Sequence, residues 1–231
     1  MAETPEDIAA ELDRIESAIA AGTADLRSLG FWKLVGRVKK DPELVDRYAD
    51  QIGRIDFEAF KSFAKVRFPV ALGNAVLMIG ALVGAGFVAV AMETSNPTVA
   101  GIALVLAAVI WSVAVHSPTH WVVGRVFGMR FRCYFFGGPF PPRPGLKTDY
   151  ASYLRTPARR RAWMHASGAL ATKAAPFVAL AFWPATDASA WAAALVFLIG
   201  VVQILTDVLL STKSSDWKKV KRELAAARRS A

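Results

Sequence analysis

Apolar residues follow two regimes along this chain. Up to about residue 68 they recur at helical spacing among charges, and beyond it they fill four long runs that are almost free of charge. In the first regime Thr4-Pro5-Glu6-Asp7 has the form of a helix start, with an N-cap, proline at the first helical position and acids in the first turn. Ile8, Leu12, Ile15 and Ile19 follow on one face, and Gly22 closes the helix. A second helix is predicted over 25–40 and a third over 42–52, stopping before Gly53. Residues 55–68 set Phe57, Phe60, Phe63 and Val66 against Lys61, Lys65 and Arg67, the pattern of an amphipathic helix at a membrane surface. The whole segment reads either as a small helical subdomain or as a partner-binding arm.

The apolar runs cover about 69–92, 99–128, 163–183 and 190–210, and each is long enough to cross a hydrocarbon core of ~30 Å. Between the second and third, 129–136 is rich in aromatics, partly alternates and reads as a strand closed by Gly137-Gly138. The four prolines of 139–145 exclude a helix there. The predicted fold is an all-α membrane protein with four transmembrane helices and a short strand-containing loop between spans 2 and 3. Its parts are a cytoplasmic helical region (1–68), a membrane core (69–212) and a basic, helical surface tail (213–231).

Composition agrees with this: 54% of residues are hydrophobic, and the mean hydropathy of +0.34 is high for a soluble domain. The first 68 residues are charged, so no cleavable signal peptide is expected. A net charge of +9 raises the question of nucleic acid, but the distribution points to topology. Of the 28 basic residues, eleven precede residue 69, nine lie in 125–161 and seven in the tail, while the connections 93–98 and 184–189 have none. Four spans with both termini cytoplasmic in a cell membrane satisfy the positive-inside rule at every loop. Arg159-Arg160-Arg161 then reads as an anchor for anionic lipid at the cytoplasmic face. The single cysteine, Cys133, excludes an internal disulfide and reads as a small apolar residue.

The second run carries the chemistry. In His116-Ser117-Pro118-Thr119-His120 the imidazoles stand at i and i+4, on one helix face and close enough to share a metal ion. Pro118 removes a backbone hydrogen bond and should bend the helix between them. The fourth run carries Gln203 and Asp207, again at i and i+4. Counted from the outer ends of their spans at 1.5 Å per residue, His116 lies ~27 Å in and Asp207 ~26 Å in. Two imidazoles and a carboxylate at one depth make a three-ligand set with an open fourth position, the pattern of catalytic zinc sites; iron and other divalent ions fit the same set. The bland readings are a snorkelling Asp207 and a hydrogen-bonded histidine pair without metal. His165, at the cytoplasmic start of the third span, reads as interfacial or as a further ligand. Lys173 lies ~15 Å into that span, where it pairs with Asp207, acts as a base of lowered pKa, or pairs structurally in a wet cavity.

These residues resemble the site-2 protease family of intramembrane zinc metalloproteases. The resemblance covers about 100–210. His116-Ser-Pro-Thr-His120 stands where the family has His-Glu-x-x-His, followed by the strand with Gly137-Gly138. Ser167-Gly-Ala-Leu-Ala-Thr172 then stands for the family's Ser-Gly-Pro-Leu-Ala-Asn, and Asp207 for its later aspartate. The resemblance implies zinc on His116, His120 and Asp207. It departs from the family at Ser117, which replaces the glutamate base, and at Thr172, which replaces the asparagine. No other Asp or Glu lies inside a predicted span. General-base catalysis is worth ~10²–10⁴-fold. Either Lys173, or His165 through a water, replaces the base, giving a metallohydrolase with an extended substrate on the strand. Otherwise the chain is an inactive relative that binds a membrane protein or lipid. A heme-binding or transporting tetraspan is the third reading, and the i, i+4 spacing suits one ion better than a macrocycle.

Overall fold

The computed structural model describes residues 5–23, 25–138, 143–209 and 215–229. The chain divides into two compact units, one of 1–70 with 125–157 and one of 71–124 with 158–229. The loop expected to belong to the membrane core therefore groups with the N-terminal segment, and the tail helix groups with the spans.

The first unit is helical around a small sheet. Its helices are α1 (Pro5–Ala20), α2 (Phe31–Val38), α3 (Pro42–Phe63) and α7 (Tyr150–Arg155). Ile8, Leu12 and Ile15 of α1 are buried with Phe31, Leu34, Ile52 and Leu154, so the face legible in the sequence is the core face. Three expected boundaries move. Residues 25–30 are turns, and the second helix begins only at Phe31. Gly53 does not end α3; a Cβ there would meet the Ala151 Cβ at 2.9 Å, so the glycine lets α7 lie close against the middle of the helix. The membrane-surface helix over 55–68 is also corrected: α3 ends at Phe63, and Val66–Phe68 is a strand, β1. β1 pairs antiparallel with β2 (Phe131–Gly137), Val66 opposite Phe136, and β2 pairs with β3 (Arg143–Thr148), Cys133 opposite Lys147. Phe57, Phe60 and Phe63 keep their helical spacing in α3, and edge pairing to β2 takes over only from Val66. Phe57 and Phe135 pack on the core formed by Phe60, Ala64 and Cys133, and Phe63 meets Phe135 edge-on.

The second unit contains four helices long and apolar enough to cross a membrane, Val70–Glu93, Pro97–Ala114, Ala158–Ala185 and Ala190–Asp207. Their helical cores are α4 (Val70–Glu93), α5 (Pro97–Ala114), α8 (Ala158–Ala181) and α9 (Ala190–Leu209). Ile79, Leu82, Val113 and Phe197 point outward from them, the kind of exposed apolar surface that hydrocarbon covers. Inside, Ala103, Leu104, Ala108, Ala179 and Val196 pack together, the small side chains allowing close helix approach. The Trp111 indole donates 2.9 Å to the Ala81 carbonyl and ties α4 to α5.

The second apolar run is two helices. α5 ends at Ala114, Val115 is a turn, and α6 (His116–Val126) starts at the first histidine. The bend therefore lies before both histidines rather than between them. Pro118 sits in the first turn of α6, where its missing N–H costs nothing, and Ala114, four residues earlier, is where α5 stops. The tail forms α10 (Asp216–Arg229), packed along α8.

Candidate metal centre

α6, α8 and α10 bring together the polar groups of the second unit. His116 and His120 stand one turn apart on α6 with ring centroids 4.7 Å apart and planes at 88°. Facing both is Asp216, the first residue of α10. Its Oδ2 lies 3.4 Å from His116 Nε2 and 3.3 Å from His120 Nε2. One ligand atom from each of the three residues lies within 4.8 Å of the others.

The far nitrogens of both rings are engaged on α8. His120 Nδ1 lies 2.6 Å from the Met164 carbonyl, and His116 Nδ1 lies 2.9 Å from Thr172 Oγ1. A carbonyl only accepts, so His120 Nδ1 carries a proton and donates it. In the neutral ring Nε2 is then a lone pair aimed at a carboxylate, two acceptors face to face. The conflict is relieved by a cation between them or by a second proton on the ring. Tetrahedral zinc at 2.0–2.2 Å from each atom needs ligand atoms about 3.4 Å apart, which matches both measured separations. An imidazole fixed by its far N–H on a carbonyl is also the usual outer arrangement of a metal-binding histidine. On these grounds the residues fit a divalent cation.

Gly168 makes the arrangement possible. It lies on α8 beneath the His120 ring, and a Cβ there would run into Nε2, Cδ2 and Cε1. Burial raises the Asp216 carboxyl, but the His120 ring, when it carries its second proton, and the charge of Lys219 outweigh it and hold the group well below the usual carboxylate range. Lys219 Nζ lies 3.0 Å from Asp216 Oδ1, and the start of α10 adds its own preference for an anion.

Asp207 is not in this set, which corrects the ligand expected from the sequence. Its carboxylate is ion-paired with Lys173 and accepts a 3.0 Å hydrogen bond from the Trp217 indole of α10. A carboxylate that neutralises Lys173, the one Lys or Arg in the sequence between Arg161 and Lys213, is held where that charge is. Lys173 thereby takes the pairing role among its alternatives. Gln203, one turn before Asp207, donates 3.2 Å to Ser112 Oγ, and its buried Oε1 has no partner among the described residues. His165 is half-buried beside the centre, with Nδ1 3.9 Å from Asp216 Oδ1 and its ring centroid 6.4 Å from that of His120.

The sequence reading missed Asp216 and Trp217 because it treated the tail as surface. A signal was present: Asp216 and Glu223 are the only acids after Asp207, and with Val220 they occupy i, i+4 and i+7 of one helix face. No family model, curated protein or solved structure matches the chain.

Proposed function

We propose that this is a membrane-embedded protein that holds one divalent cation, zinc by its donor set, on His116, His120 and Asp216. In this reading it is a divergent relative of the site-2-type intramembrane metalloproteases and binds its metal without their general base. The carrying observation is the opposed pair of acceptors, His120 Nε2 and Asp216 Oδ2, 3.3 Å apart with the far nitrogen already committed to the Met164 carbonyl. The serine at position 117 and the pairing of Lys173 with Asp207 favour binding over hydrolysis. The partner class is a membrane protein or a lipid.

The distribution of basic residues supports a reading with both termini on the cytoplasmic side of a cell membrane and anionic lipid against that face. Bound zinc would supply a Lewis acid and hold the three helices in one arrangement. Metal analysis of detergent-purified protein beside His120→Ala and Asp216→Asn tests the reading. One zinc per chain in the parent and loss in both variants is expected; equal content in all three would sink it.

One observation keeps hydrolysis as a second reading. His165 is a half-buried imidazole with Nδ1 3.9 Å from Asp216 Oδ1, a candidate base beside the centre. Zinc-dependent cleavage of a fluorescent casein that disappears in His165→Ala would favour it, and no turnover above His116→Ala would favour binding.

A further inference from the structure

α10 runs antiparallel to α8 in a strict register. At one end Arg161 Nε of α8 meets Glu223 Oε2 of α10 at 2.7 Å, with the two side chains 7% and 0% exposed. Between the ends Val220 packs on Ala162 and Ala166 beside Trp217. Seven residues on from Arg161 is Gly168, under the His120 ring; seven residues back from Glu223 is Asp216, which meets that ring. Seven residues are two turns, about 10.5 Å, on both helices. The buried ion pair and the carboxylate of the candidate centre thus sit at the two ends of one matched interval.

A buried ion pair is a poor source of stability, since desolvation offsets most of its attraction, and its best-attested use is to fix register. The apolar contacts fix the register of α10 weakly, because Val220 meets two alanines with Trp217 beside them. A slip of one turn, about 5.4 Å, would carry Asp216 away from both imidazoles. We infer that Arg161 and Glu223 are positioning residues for the metal: their pairing sets α10 so that Asp216 completes the ligand set, and metal binding and docking of α10 are therefore thermodynamically linked. This rests on the zinc reading above. By reciprocity, whatever loosens α10 weakens the metal, and removing the metal loosens α10 by the same factor.

The test uses the full chain in detergent and zinc as the probe. Zinc affinity is measured by competition with a chromophoric chelator for the parent, for Arg161→Lys and for the double variant Arg161→Met with Glu223→Leu. The double variant removes both charges at similar volume, so its thermal midpoint in chelator should hold or rise. Its zinc affinity should nevertheless fall about 10–100-fold, the usual cost of losing an outer partner, while Arg161→Lys retains most of it. Hydrogen exchange over 216–229 should be slow with zinc and fast with chelator in the parent, and fast in both for the double variant. Parent-like affinity in the folded double variant would overturn the positioning role and leave the zinc reading intact. A parent that takes up no zinc would overturn both. Should the double variant not fold, Glu223→Gln replaces it; a folded Glu223→Gln with parent-like affinity overturns the inference and a weakened one supports it.

Discussion

Gly168→Ala isolates the geometry of the centre from the stability of the fold. The new Cβ would lie 2.6 Å from His120 Cδ2 and Cε1. Ordinary carbon contacts begin near 3.4 Å, so the ring must retreat by about 0.8 Å. Its Nδ1 is bound to the Met164 carbonyl at 2.6 Å, so retreat also strains that bond. Metal sites tolerate about ±0.2 Å in ligand position, so the displacement is about four times what the centre accepts. Loss of one ligand's alignment should cost at least about tenfold in zinc affinity, or about 1.4 kcal/mol. Alanine at a helix interior is by itself favourable by about 0.8–1 kcal/mol, which opposes any general destabilisation. Chelator competition for zinc, paired with thermal unfolding in the absence of metal, reads both quantities. The expected result is weakened zinc with a metal-free midpoint that changes little. Unaltered zinc affinity in a folded Gly168→Ala protein would refute the placement of His120 against α8.

Three further outcomes are expected. Asp207→Asn should keep its zinc and lower the thermal midpoint by leaving Lys173 without its carboxylate, whereas Asp216→Asn should lose zinc; metal content with calorimetry checks both. Pro118→Ala restores an N–H opposite the Ala114 carbonyl, so α5 and α6 should become more continuous. The His116 ring should then turn away from Asp216, read as weaker zinc binding together with slower amide exchange at 115–118. In the first unit, paired 2.8 Å hydrogen bonds from Arg155 hold the Asp50 carboxyl below its ordinary value of 3.8. A group lowered on folding contributes its stability above the unfolded value and loses it as pH falls through the folded one. Exchange protection in 42–63 and 150–155 should therefore fall below about pH 4 in the parent and less in Asp50→Asn. The effect is small because the pair is largely exposed.

Much of the architecture was legible because its signals are local. Apolar runs of span length with few charges mark α4, α5, α8 and α9, and one-sided spacing marks α1. Two imidazoles at i and i+4 show themselves in any helix. What failed depends on partners distant in sequence. Helical spacing over 55–68 could not reveal that Val66–Phe68 would find an edge beside β2, some 70 residues on. Gly53 reads as a stop until Ala151 is seen against it. Depth counting placed Asp207 level with His116, yet depth leaves azimuth unspecified, and Lys173 claims that carboxylate. The third member of the candidate set, Asp216, begins a helix that lies outside every apolar run, and hydropathy gives such a helix no reason to return to the bundle.

The shortness of α5 has its own consequence. Eighteen residues use up about 27 Å of a hydrocarbon layer about 30 Å thick before the chain turns at Val115. If α5 crosses such a layer, the first imidazole would stand at its rim, beside a tail helix that carries charge along its outer side. On the proposed reading, an ion held there would exchange with the compartment on the tail's side and be separated from the other by the spans. A membrane-impermeant chelator should strip oriented vesicles from the tail's side alone.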